Sequence, residues 1–334
     1  MLALRRGVVS AVDEAGPVAR IRVNCDDEER QAISYGPAEV GDDVVLNIAA
    51  VELGLGSGGF DIVHVNLTRG LGHPVDEGAH VMKLNYTSLQ HPVDPVESRD
   101  MRGERDTRGA IAVIALHAQL PCVAWQAHER LPDARIGYIQ TWGGALPGSL
   151  SRVVGALRTQ GLLAGHITAG ATFGGEQEAI STVGAIEAAL HEWEAAIIGP
   201  GPGILGSDTA LGHGGMAALE SAHAALALGL KPLIVPRMSS GDPRPRHQGL
   251  SHHTKSVLEL LLQPVHVAVP ELTELPGRHQ PVSAAVDLDG YRGSGLPATT
   301  MGREIDQDEL FFRAALAGGA VLAEEIDVVR AGGI

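Results

Sequence analysis

Residues 195–236 read AAIIGPGPGILGSDTALGHGGMAALESAHAALALGLKPLIVP, and this stretch decides the fold. A short apolar run, AAIIG, breaks into a glycine-rich loop. An alanine-rich helical segment follows, and a second apolar run, KPLIVP, closes the unit. Neither run alternates with polar residues, so each reads as a strand covered on both faces. Strands of that kind joined by a helix belong to a mostly parallel sheet.

The same alternation extends in both directions. The runs IAVIAL, ARIGYIQ, HITAGAT, AAIIG, KPLIVP and VHVAVP are each followed, except the last, by a helical segment. Residues 109–270 are therefore expected to form an α/β domain with a three-layer, Rossmann-like sheet. Beyond it, residues 271–334 offer a strand from Val282 to Asp287 and an acidic-start helix that complete or brace the core.

Upstream, residues 1–66 alternate in period two through five short runs separated by turn residues, which predicts a small antiparallel β-barrel module. Within it Gly54, Gly56 and Gly59 spell G-x-G-x-x-G, but FDIVHVN follows as a strand where a dinucleotide fingerprint needs a helix. Residues 67–108 read as a connecting segment with one strand from Met82 to Thr87. A solvated charged linker between Glu97 and Arg108 ends that segment.

Composition narrows the partners. A net charge of −15 argues against nucleic acid or an anionic membrane over most of the surface. Cys25 and Cys122 stand without CxxC or metal spacing, so two packing thiols in a reducing cytoplasm are expected. No apolar run of about 18 residues occurs, and no signal-peptide pattern follows Met1. Low aromatic content and an apolar barrel surface leave room for a homodimer.

Ligands of such sheets sit at the carboxyl ends of the strands, and the unusual residues fall there. His117 follows the first strand; Trp142, Gly143 and Gly144 follow the second and run on to Ser149. Gly201 and Gly203 lie in GPGPGILG after the fourth. After the fifth, residues 236–255 hold Arg237, Arg244, Arg246 and Lys255 against Asp242 alone. His247, His252 and His253 share that loop, and Ser251 is placed to cap the following helix.

This concentration of cations predicts an anion site, with Arg244 and Arg246 as clamps and the glycine amides as a cradle. Asp242, His247, His252 and His253 are the acid/base candidates. Ser149 suits an N-cap better than a nucleophile, because no G-x-S-x-G elbow surrounds it. Asp208, His213, Asp242, His247, His252 and His253 could supply metal ligands, but no pair has a recognised spacing and no metal is expected. The second G-x-G-x-x-G, Gly201 to Gly206, keeps an NADP-dependent alternative open, although Pro202 removes an amide and SDTALGHGG delays the helix.

The succession VMKLNYTSLQ, TWGGALPGSLSR, FGGEQEAIS, GPGILG, PRMSSGDPRPRHQGLSHHT and ATTMGRE resembles the bacterial domain-of-unknown-function family numbered 3866. That resemblance implies domain limits and a bacterial source and carries no mechanism. The residues themselves lead to an enzyme, or a binding protein descended from one, that holds a small phosphate- or carboxylate-bearing metabolite at the sheet edge. The rival from another class is a non-catalytic sensor or assembly protein, and the cofactor stays unassigned.

Overall fold

The computed structural model describes residues 2–16, 18–55, 58–71, 80–99 and 108–332. They divide into two compact units, Met1–Asp94 and Pro95–Ile334.

In the first unit β1 (Leu4–Glu14), β2 (Val18–Cys25), β3 (Glu28–Tyr35), β4 (Asp43–Asn47) and β5 (Asp61–Asn66) close a barrel in the order β1-β2-β3-β5-β4. Alternation turns Val9, Ile21, Val23, Ala32, Val44, Leu46 and Val63 inward. Four pairings are antiparallel, while β3 and β5 pair in parallel. A short helix, α1 (Ala49–Glu52), interrupts the β4–β5 connection, and Gly54 follows it at φ +62°. The first G-x-G-x-x-G thus leads into a strand; its Gly56 lies outside the described residues.

Two short antiparallel strands, β6 (Val81–Lys83) and β7 (His91–Val93), replace the single strand expected from Met82 to Thr87. Leu84 and Tyr86 adopt φ of 54° and 63°, which no strand accommodates, so the chain turns there.

The second unit carries a wholly parallel sheet of eight strands. They are β8 (Ala110–Ile114), β9 (Ile136–Thr141), β10 (His166–Ala169), β11 (Gln177–Ala179), β12 (Ala195–Pro200) and β13 (Pro232–Val235), then β16 (His266–Val269) and β17 (Gln280–Ser283). Between the last two pairs, β14 (Met238–Ser239) and β15 (Gly249–Leu250) form a separate small hairpin. A second hairpin joins β18 (Thr299–Thr300) to β19 (Arg303–Glu304). The sheet order is β11-β10-β9-β12-β8-β13-β16-β17.

Successive residues of each strand point to opposite faces, and both faces are apolar. Ala112, Ile114 and Ile197 pack under α2 (Leu120–Arg130), α3 (Arg152–Thr159), α7 (Leu288–Gly293) and α8 (Glu309–Arg330). Ile111, Val113 and Ile198 pack under α4 (Thr182–Glu192), α5 (Ala217–Ala227) and α6 (His252–Leu260). In the C-terminal segment α8 covers the sheet and β17 extends it over Gln280–Ser283 rather than the expected Val282–Asp287, because Asp287 caps α7 by accepting from Gly290 N. No helix among the described residues is long and apolar enough to cross a membrane.

Three local expectations change. Within the helical segment expected after HITAGAT, Gln177–Ala179 instead form β11 and pair with β10, while Ser181 accepts from Gly184 N to cap α4. Ser149 lies in a single 3-10 turn, and the cap of α3 is Ser151, whose hydroxyl accepts from Val154 N. Glu97 is not solvated linker, because its carboxylate accepts from Ile180 N and Ser181 N at 3.0 Å, just ahead of α4. Arg99 likewise reaches Gln177 and Glu192. Residues 100–107 of that linker lie outside the described residues.

The order of strands positions the site. β8 sends the chain to α2 on one face, whereas its neighbours β12 and β13 send theirs to α5 and α6 on the other. Loops leaving in opposite directions open a crevice at the carboxyl ends of these three strands.

Candidate functional site

The loop after β13 is pinched by the β14–β15 hairpin and then held from below by a carboxylate distant in sequence. Asp308, fully buried just ahead of α8, accepts from Ser239 Oγ at 2.7 Å, Ser240 N at 2.8 Å and Gly241 N at 3.1 Å. Arg303 of β19 donates to the same carboxylate at 3.0 Å.

Asp242 sits at the centre of this loop with no exposed surface. Arg244 forks onto it, Nε to Oδ1 at 2.9 Å and an amino group to Oδ2 at 2.8 Å. Arg237 and Arg303 reach Oδ2 at 3.2 and 3.4 Å. The Arg244 hydrogen bond, above all, holds the carboxyl far below the ordinary range, so Asp242 is ionised at any working pH. Such a carboxylate has no proton to give and little basicity. The geometry makes it a counter-ion rather than the acid/base residue the sequence suggested. Burial lowers Arg237 to about 10, which still leaves it cationic near neutrality.

The expected clamp divides in two. Arg244 points inward to Asp242, and Arg246 points outward to Asp208, at 2.5 Å from a carboxylate whose side chain is 88% exposed. An exposed pair of this kind is weak and open to exchange with another anion.

Four imidazoles converge beside these arginines. His247, His252 and His253 each present a ring nitrogen within 4.8 Å of the other two. His213, from the loop after β12, stacks on His253 with centroids 3.6 Å apart. Ser251 caps α6 by accepting from His253 N, and its hydroxyl also bonds His247 Nδ1 at 2.7 Å. His213 Nε2 bonds the carbonyl of Ala210 at 3.0 Å. A carbonyl only accepts, so Nε2 carries the proton and Nδ1 is left as a bare lone pair. That buried Nδ1, and Nε2 of His252, have no hydrogen-bond partner.

Burial dominates the titration of all four rings. It pushes His247 to about 3 and His253 to about 2, and lowers His213 and His252. After burial, the charges that lower His252 most are Arg246, Arg237, Arg244 and Lys255, all cations. The rings are therefore neutral at pH 7 in a positive local field.

The crevice itself opens alongside β8 and β12 as a cavity of about 330 Å³, lined by His117, Gly201, Pro202, Gly203, Thr299 and Thr300 among others. His117 is buried, with Nε2 2.8 Å from Ser151 Oγ and Nδ1 3.3 Å from the Tyr138 hydroxyl. Tyr138 donates in turn to the Pro200 carbonyl at 2.8 Å. Burial depresses His117 to about 4, so it too is neutral at pH 7.

The two glycine turns meet backbone to backbone. Ala145 N donates to Gly203 O and Leu205 N to Gly143 O, closing a bridge between Gly144 and Ile204. At Gly143 the φ is +109°, and a Cβ would lie 2.4 Å from Gly214 O; at Gly144 it would lie 2.2 Å from Gly201 O. Close approach thus explains these glycines without a ligand. GPGPGILG opens no helix directly, since a Gly206–His213 bridge and a 3-10 turn precede α5 at Ala217. Trp142 lies at the rim and donates to Glu220 at 2.6 Å.

The structure therefore gathers Asp242, Arg244, Arg246 and His247 of one loop with His252 and His253 of the first turn of α6. It brings Gly143, Gly144, Gly201 and Gly203 into one turn pair, and His117 into the crevice. Ser149 lies beside Gly174, near the end of β10. Sequence reasoning assigned no site role to Arg303, Asp308 or Ser151. Their signals were polar residues in ATTMGRE and SLSR that no turn requires, and for Asp308 the acidic start DQDEL of the last helix.

A model of the family described as protein of unknown function (DUF3866) matches residues 31–319. The chain belongs to that family. Residues 31–319 run from β3 of the barrel into α8, so the DUF3866 match includes every residue of the candidate site. No curated protein and no solved structure matches the chain.

Proposed function

We propose that this DUF3866 protein binds a small phosphate- or carboxylate-bearing metabolite at the carboxyl edge of its parallel sheet. The observation that carries the reading is the field around His252. It stands in the first turn of α6, where helix amides and dipole favour an anion. Arg246, Arg237, Arg244 and Lys255 are its strongest charged neighbours. Arg246 exchanges Asp208 for the ligand, while Arg244 stays on Asp242.

Asp242 takes no proton-transfer role in this reading, because Arg244 holds its carboxylate ionised. The cavity lined by His117 and Thr299 accommodates the uncharged part of the metabolite.

Thermal unfolding with phosphate, pyrophosphate, sugar phosphates and dicarboxylates tests this on wild type and Arg246→Ala. Ligand at about 100 times its Kd adds roughly 2.7 kcal/mol. For a unit of this size that raises the midpoint by about 5–10 °C. The shift is expected in wild type and lost in Arg246→Ala. No shift with any anion, or an equal shift in the variant, refutes the reading.

A further inference from the structure

We infer that His247, His252 and His253, supported by His213, form a binding site for a divalent transition metal of the zinc type. The spacing of these residues in sequence gives no such signal; the fold creates it. The capping turn at Ser251 reverses the chain, so that His247 lies against the first turn of α6. Ring centroids are then 4.8 Å apart for His247 and His252 and 4.4 Å for His252 and His253.

Each ring is prepared for ligation. Metal-bound histidines usually give their second nitrogen to a hydroxyl, carbonyl or carboxylate that fixes the tautomer. Ser251 Oγ does this for His247 at Nδ1, leaving Nε2 to ligate. His252 Nε2 is buried and without a partner. His213 has the same preparation, with Nε2 on the Ala210 carbonyl and Nδ1 a buried lone pair. An anion cannot satisfy a lone pair, whereas a metal ion can.

His253 requires one rearrangement. Arg237 donates to its Nδ1 at 3.2 Å, and ligation through Nε2 asks Arg237 to turn wholly to Asp242, which it already bonds. Zinc–nitrogen bonds of about 2.0–2.1 Å in a tetrahedron set the nitrogens about 3.4 Å apart. From at most 4.8 Å, the rings close by no more than about 1.4 Å.

The surrounding arginines oppose a bare dication. An anion in the open coordination position offsets them, and this clause alone rests on the proposed function above. Neutral imidazoles favour zinc, cobalt or nickel over magnesium or calcium, which prefer oxygen.

The test is titration of chelator-treated full-length protein with Co²⁺, followed by calorimetry and visible absorption, with and without inorganic phosphate. One Co²⁺ per chain is expected, with ligand-field bands of nitrogen coordination and tighter binding when phosphate is present. His252→Ala, which removes a partly exposed ring, is expected to weaken binding at least about 10–100-fold, the loss seen for outer-shell partners. His191→Ala, on α4, serves as the folded control and is expected to bind as wild type. Absence of saturable binding in both buffers overturns the inference, as does wild-type affinity in both His252→Ala and His247→Ala. A phosphate-induced thermal shift in the metal-free protein is read separately, so the anion reading survives or falls on its own result.

Discussion

Replacing Asp242 by Asn tests the core of the loop. In the folded protein Asp242 has no exposed surface and accepts from Arg244, Arg237 and Arg303. Arg237 is itself only 2% exposed. Asparagine keeps the volume and removes the charge, leaving Arg237 buried with no carboxylate of its own. Breaking a buried pair from one side costs about 3–5 kcal/mol. A unit of 240 residues loses about 2–4 °C per kcal/mol, so the midpoint falls by roughly 6–20 °C.

Calorimetry from pH 7 to pH 3 gives the sign. The folded carboxyl is depressed, so its stabilisation is complete above the unfolded value of about 3.9 and is lost only as pH falls below it. The gap between wild type and Asp242→Asn is therefore constant from pH 7 to pH 5 and narrows only below about pH 4. Arg244→Ala costs less, because its side chain is 43% exposed and Asp242 retains two cations. A drop under about 2 °C for Asp242→Asn, or a gap that closes between pH 7 and 5, refutes the reasoning.

Other consequences are measured separately. His117 and His166 are pushed by burial to about 4 and about 3, below the unfolded value of about 6.5, so stability falls with pH from about 6.5 downward; His166→Gln flattens that slope in pH-dependent melts. Ser151→Ala removes both the α3 cap and the His117 partner and costs about 1–2 kcal/mol or more by urea unfolding. Gly143→Ala places a Cβ 2.4 Å from Gly214 O at a left-handed φ, costs about 1–3 kcal/mol, and raises amide exchange in residues 143–146 and 203–205.

The architecture was legible because apolar runs and helix periods report burial on one or two faces directly. The runs AAIIG and PLIV are buried throughout in β12 and β13, and the five alternating runs of residues 1–66 are the barrel strands. Pairing direction was less legible. β3 and β5 are parallel because the route of the β4–β5 connection fixes it, and alternation carries no sign of direction. β11 was hidden for a related reason: QEA is short and polar, and pairs with β10 and a lone bridge to Pro95, so nothing in its composition separates it from a helical first turn.

The candidate site separates what a loop contains from what holds it. That residues 236–255 concentrate cations and histidines at a strand end is a property of local composition and could be read directly. The assignment of roles could not, since it depends on two carboxylates competing for three arginines. Asp308 and Arg303 approach from more than sixty residues away and fix Ser239, Ser240 and Gly241, so that Asp242 turns inward and claims Arg244. Once Arg244 is taken, Arg246 is the loop arginine left facing solvent, and the carboxylate of Asp242 is spent on arginines rather than on the imidazoles. The same pairing that removes Asp242 from chemistry therefore leaves neutral nitrogens in a cationic field, which is the condition under which a metal ion and an anion bind better together than either does alone.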